Sequence, residues 1–256
     1  MGLGTNNKLI VTAPLAELGA SIAIGTTTGG ISSTLGDGLI AHYKLNETSG
    51  NIAIDSSGNG HDGTSVNTVT SVPGANVLTT NTAWNFNSCS DAIDIPSDSG
   101  AFNFGGNNFS ISWWEYRTGG YDQEQTALGE RTGGAAFLLG YDNGDGTGTI
   151  LFSGVAAGQW MIAEPFPMTL DAWNHFAFVR NGNNFDLYKN GSSVVSVSSS
   201  DSIADLANPL DLGRGQNDNT CMGNGNVSGS LDDVRFYNRA LTLDEIAQLA
   251  AGTEAE

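Results

Sequence analysis

GSLDDVRFYNRALTLDEIAQLAAG, residues 229–252, decides the fold. Leu231, Val234 and Phe236 put bulky side chains into its first third, the composition of a β-strand. Thr242 and Glu245 then form a capping box, in which each side chain accepts from the other's backbone amide at the start of a helix. Leu241 and Ile246 stand at the two positions of a hydrophobic staple, and Ile246, Leu249 and Ala250 continue one apolar stripe. Gly252 supplies the backbone freedom that ends such a helix. A helix this short is unstable alone in water, so it must dock on the strand before it.

Outward from this stretch the pattern is β. Phe109, Ile111 and Trp113 alternate with Ser110 and Ser112, the period of a half-buried strand. Asn181-Gly182 and Asn190-Gly191 flank Phe185, Leu187 and Tyr188, which predicts consecutive hairpins. Thirty-five glycines and six prolines suit many tight turns, and no other segment has a helical period. The expectation is an all-β fold, a two-sheet antiparallel β-sandwich with a short C-terminal helix. At 256 residues the chain is long enough to bury a core without disulfides or metals. Residues 1–38, rich in Gly, Thr, Ser and Ala, read as an N-terminal arm, and residues 39–256 as the domain.

Six further stretches stand in a telling order: HYKLNETSG (42–50), DSSGNGHDGT (55–64), WNFNSCSDAIDIP (84–96), NFSISWW (108–114), WNHFAFVRNGNNFDLYKNG (173–191) and LDLGRG (210–215). With the closing strand they resemble the laminin G-like, concanavalin A-like lectin/glucanase jelly-roll family, from about Leu39 to Leu249. That resemblance implies a jelly roll. It does not fix a function, because this fold serves glycan binding, protein adhesion, glycoside hydrolysis and packaging alike.

Charge narrows the classes. Nine Lys and Arg against 27 Asp and Glu give a formal charge of −18. Counterion release needs a basic face, so nucleic acid is excluded as a partner and anionic membrane surfaces are disfavoured. The acidic surplus serves either solubility in a salty or exposed setting or the binding of cations. Cys89 and Cys221 lie in loop-like sequence and form either one disulfide or two free thiols. In the leader, Pro14 and Glu17 interrupt the apolar run and Lys8 is the only early charge, so there is no clear signal peptide. No stretch is long and apolar enough for a membrane-spanning helix. The leader is either a flexible segment that adds a strand to the domain edge or an arm that docks on a larger assembly or joins copies into an oligomer. A displayed domain of this kind fits a virion, as on a phage tail or capsid, or an extracellular cell surface.

DSSGNGHDG carries the most chemistry. Asp55, Asn59 and Asp62 offer oxygens within eight residues, and its glycines let backbone carbonyls turn inward. Hard Ca²⁺ takes six to eight such ligands. Jelly rolls of the resembled family often hold calcium between the first turn and the last strand, which would add Asp232 and Asp233, with His61 contributing its carbonyl and Asn46 and Glu47 in reserve. The expectation is one structural Ca²⁺; the alternative is a hydrogen-bonded Asx turn without metal. DNGDGTG (142–148) fails the EF-hand pattern, with Gly144 at its third position and Ser153 in place of the closing Glu, and reads as a hairpin turn.

No catalytic set is found. Glycosidases of the resembled family alternate two glutamates along one strand, and retaining chemistry needs both to flank the scissile bond. Here Glu115 is followed on its own face by Arg117 and Gly119. His175 reads as a packed histidine, and three histidines in all make zinc improbable. The aromatic residues are more suggestive. Trp114, Tyr116, Tyr121, Tyr141 and Trp160 gather in mid-chain beside Asn, Gln and Asp, and flat rings ringed by polar groups suit sugars. The expected function is therefore a non-catalytic module binding glycans or another surface polymer. The alternatives are a structural or adhesion domain with its rings buried, and a divergent glycoside hydrolase.

Overall fold

The structure, a computed structural model, describes residues 2–3, 9–10, 34–67, 69–75, 81–88, 90–96, 100–118, 125–132, 135–142, 149–153, 162–165, 169–203, 210–214 and 228–252. Two compact units divide the chain, 1–33 and 34–256. In the first, β1 (Gly2–Leu3) and β2 (Leu9–Ile10) pair antiparallel. Residues 1, 4–8 and 11–33 lie outside the described residues, as do Cys89 and Cys221.

The second unit opens with a 3₁₀ turn, Thr34–Gly36. Its strands are β3 (Leu39–Tyr43), β4 (Ile52–Ala53), β5 (Gly63–Val66), β6 (Thr70–Pro73), β7 (Thr82–Phe86), β8 (Ala92–Ile95), β9 (Phe109–Arg117), β10 (Gln125–Thr132), β11 (Ala135–Asp142), β12 (Thr149–Ser153), β13 (Ile162–Pro165), β14 (Trp173–Asn181), β15 (Asn184–Lys189), β16 (Ser192–Ser198), β17 (Leu210–Leu212) and β18 (Gly229–Tyr237), followed by helix α1 (Leu243–Ala251). One sheet runs β13-β12-β11-β10-β17-β8-β5-β4 and the other β16-β15-β14-β9-β18-β7-β6, with β3 beside β18. Antiparallel pairing throughout makes this the expected jelly-roll sandwich.

Local rules explain the hairpins. The β14–β15 turn is Gly182-Asn183, since Asn181 faces Asn184, and Gly182 alone has positive φ (+61°), as a II′ turn requires. Between β15 and β16, Asn190 (+49°) and Gly191 (+78°) both take positive φ, the I′ pattern. DNGDGTG joins β11 to β12, where Asp142 faces Thr149; residues 143–148 lie outside the described residues.

The core sits between the sheets. Trp84, Phe86, Phe109, Ile111, Trp113, Phe176, Phe178 and Phe236 from one meet Ile93, Ile95, Leu139, Leu210 and Leu212 from the other. A second cluster lies on the outer face, where Ile246 and Leu249 of α1 cover Ala177, Val179 and Tyr237 with Leu35 and Leu241. Thr242 Oγ1 accepts from the Glu245 amide, Glu245 accepts from the Thr242 amide at 2.8 Å, and Gly252 closes the helix in the left-handed region.

β18 positions the site. Its one edge pairs with β9; its other edge is shared, Gly229–Leu231 with β7 and Val234–Tyr237 with β3. The change of neighbour coincides with a bulge at Asp232-Asp233, where Asp233 has φ +49°. Gly229 begins the strand at φ +147°, and a Cβ there would fall 1.9 Å from the Tyr116 carbonyl oxygen.

Candidate functional site

Strand alternation builds a ring platform. Phe109, Ile111 and Trp113 point to the core, so Ser110, Ser112, Trp114 and Tyr116 occupy the outer face of β9. In the antiparallel register Trp114 faces His175 and Tyr116 faces Trp173 of β14. The ring centroids are 5.3 and 5.7 Å apart, each pair edge-to-face. Helix α1 covers the Ala177–Val179 end of this face, and beyond it Trp114, Tyr116 and Trp173 are half-buried.

His175 is the floor of the platform. Its Nε2 lies 2.9 Å from Ser112 Oγ, and burial pushes its pKa down to about 4, with Arg235 adding to that and Asp233 opposing it. The imidazole is therefore neutral at pH 7. Polar groups flank the rings on β7 and β18: Asn85 donates to Ser230 Oγ (2.8 Å) and to the Gly229 carbonyl. Half-open rings beside amide and hydroxyl groups can stack a sugar face and hydrogen-bond its rim.

Glu115 lies on the opposite side of the strand. It is buried against the core, where Trp113 Nε1 and Arg117 donate to its two oxygens. The outer faces of β9 and β14 carry no carboxylate.

The remaining ring residues do not join this platform as one set. Tyr141 belongs to β11 in the other sheet, and Tyr121 and Trp160 lie outside the described residues. Trp173, which sequence reasoning did not single out, completes the platform; only the β9–β14 register reveals it.

The first turn is knit by donors. Asp55 Oδ1 accepts from the amides of His42 and Ser57, and its Oδ2 from that of His61. Burial alone would raise its pKa, but these hydrogen bonds bring it below the usual value. Asp62 accepts from the Asp55 amide, Asn59 donates to the carbonyls of Leu39 and Ile40, and the His61 carbonyl accepts from the Tyr43 hydroxyl. Asp232 and Asp233 part company at the bulge. Asp233 meets His42 Nε2 at 2.6 Å and Arg235 at 3.0 Å; burial opposes its ionisation, but these partners hold its pKa down at about 2. Asp232 turns instead to Ala75 and Asn81. Asp55, Asp62 and Asp233 thus accept from N–H groups, and Asn59 donates its amide to carbonyls, so each of these side chains already has a protein partner. Among the described residues no three His, Cys, Asp or Glu side chains are grouped to hold a metal.

The family model for the concanavalin A-like lectin/glucanases superfamily matches residues 87–247. The chain belongs to this superfamily. No curated protein sequence matches it. Among solved structures, domain 4 of a GH43 extracellular arabinanase from Geobacillus stearothermophilus, in complex with arabinotriose, is similar with a TM-score of 0.62 at 21% identity, covering 83% of this chain and 98% of that one. The binding domain of Paraclostridial Mosquitocidal Protein 1 gives 0.64 at 18%, over 85% of this chain and 53% of that one. Trypanosoma rangeli sialidase in complex with sialic acid gives 0.61 at 17%, over 84% and 33%. At these identities the likeness is one of fold.

Proposed function

We propose that this superfamily member is a non-catalytic binding module that recognises a glycan or similar surface polymer on the outer face of the β9–β14 pair. The observation carrying this is the platform of Trp114, Tyr116, Trp173 and His175, uncovered by α1 and flanked by Asn85 and Ser230. The arabinotriose complex of the similar arabinanase domain supports a saccharide ligand, and the similar toxin binding domain supports a binding role. Core-side pairing of Glu115 with Arg117 supports the absence of glycoside hydrolysis. The charge of −18 repels acidic polymers, so the preferred ligand is a neutral glycan. The module acts at a virion or extracellular surface. An adhesion role is the second reading, favoured by the half-burial of Trp114.

The test is retention on a panel of neutral and acidic polysaccharides, with Trp114→Ala and Trp173→Ala as variants. Retention of the parent by a neutral glycan, lost in both folded variants, is the expected result. Failure of the parent on every glycan, or undiminished retention of both variants, sinks the platform.

A further inference from the structure

A hollow of about 600 Å³ opens at the end of the sandwich where β3 and β9 begin and β18 ends. Ile40 and Phe104, both members of the core cluster, form its floor, and the exposed side chains of Asn103, Asn107, Asn108 and Asn238 stand around it. Each side-chain amide carries a donor and an acceptor. Among the described residues no charged side chain lines the hollow, in a chain of net charge −18. Its walls are held from beneath. The Arg180 guanidinium, 2% exposed, donates to the carbonyls of Gly105 (2.7 Å), Gly182 (3.0 Å) and Asp201 (3.0 Å), and Asn108 Oδ1 accepts from the Gly182 amide at 2.7 Å. Phe104 stacks on Phe109 with ring centroids 4.4 Å apart. On the other wall the Asn238 backbone amide donates to the Gly38 carbonyl at 2.9 Å, and a Cβ on Gly38 would fall 2.5 Å from Asn238 Oδ1.

We propose that this hollow is a second binding site, for an uncharged oligosaccharide, separate from the ring platform. Its volume lies within the roughly 300–1,000 Å³ of small-molecule sites. An apolar floor and an amide rim match the two surfaces of a sugar, its C–H faces and its hydroxyls, and neutral walls favour a ligand without charge to desolvate. A peptide main chain has similar polarity, but its usual capture is by addition to an open strand edge. Here the acceptors at the start of β3 are occupied: Asn59 Nδ2 donates to the Leu39 and Ile40 carbonyls, each at 2.9 Å, and Ser57 Oγ to the second of them at 3.1 Å. Asn108, just before β9, and Tyr116, near its end, are eight residues apart, roughly 26 Å at the rise of a strand. Helix α1 packs on the outer face between them. The hollow therefore shares no contact with the platform, and it stands whether or not the platform binds.

The full chain is titrated with arabinotriose, cellotriose and mannotriose while its asparagine side-chain amide and tryptophan indole signals are followed by NMR. Saturable shifts at Asn103, Asn107 and Asn238 with at least one of these sugars are expected, and they should persist in Trp173→Ala, which removes the platform. Gly106→Trp plugs the hollow: Gly106 lines it and is exposed, and a Cβ there meets nothing within 4 Å. This variant should abolish the asparagine shifts and leave the Trp114 and Trp173 indole signals as in the parent. The double variant Asn103→Ala/Asn107→Ala, which takes two amides from the rim, should weaken binding about tenfold or more, and it decides the question if Gly106→Trp does not fold. Asparagine signals unmoved by every sugar overturn the site, as does undiminished affinity in the folded variants. Shifts with the capped peptide N-acetyl-glycylglycine amide but with no sugar assign the hollow to a peptide main chain and overturn the saccharide. Indole shifts without asparagine shifts uphold the platform and refute the hollow; asparagine shifts alone uphold the hollow and refute the platform.

Discussion

Arg117 and Glu115, two residues apart on β9, meet as an ion pair on the core side of the strand, each only 2% exposed. Trp113 Nε1 donates to the second carboxylate oxygen at 3.1 Å. A buried pair adds little over an apolar replacement, yet removing one partner strands the other charge. Glu115→Ala should therefore destabilise the domain by about 3–5 kcal/mol in urea unfolding. A loss below about 1 kcal/mol would mean that Arg117 needs no carboxylate there.

Gly229 makes a backbone prediction. With φ at +147° and the Tyr116 carbonyl 1.9 Å from any added Cβ, Gly229→Ala must push β18 away from β9. The expected cost is about 3 kcal/mol or more, among the larger effects of a single substitution. Unfolding midpoints of parent and variant check it, and near-equal values would refute the close approach.

The helix cap is separable from the core. Thr242→Ala should cost about 1 kcal/mol by removing the acceptor for the Glu245 amide. For a unit of this size that lowers the melting temperature by roughly 2–4 °C. Thr242→Ser should restore most of it, whereas an equal loss in both would place the effect elsewhere.

Two buried groups make stability depend on pH in opposite senses. Asp232, raised to about 7 in the fold by burial, holds a proton that the unfolded chain has released, so it lowers stability as pH rises from about 4 to about 7. His175, lowered to about 4 by burial, lacks a proton that the unfolded chain carries, so its contribution is lost as pH falls from about 6.5 to about 4. Asp232→Asn should make the melting temperature climb more steeply with pH across this window than in the parent, and His175→Gln should make it climb less or fall. Identical slopes in all three proteins would show that neither group is perturbed.

The closing strand, the helix with both caps, the two hairpins and the sandwich were legible in the sequence because each obeys a local rule: alternation, a capping box, or a turn residue with positive φ. What depended on partners far along the chain was not. Trp114 and Tyr116 were legible as ring residues, but Trp173 joins them only through the β9–β14 register, and Tyr141 falls in the other sheet. Adjacent acidic residues suggested one shared site for Asp232 and Asp233. The bulge separates them, because a positive φ at Asp233 redirects its side chain towards His42 while Asp232 keeps its place in the ladder.

The shared edge of β18 also governs how the chain is made. Strands β3, β7 and β9 leave the ribosome well before β18, and all three look to it for hydrogen bonds. Until residues 229–237 emerge, the sheet lacks its middle and each of those strands presents an open edge. Assembly of this sheet must await β18, and pairing across such sequence distances is slow. A chain truncated before residue 229 would carry three sticky borders, bound for aggregation or for a chaperone rather than for a smaller working domain.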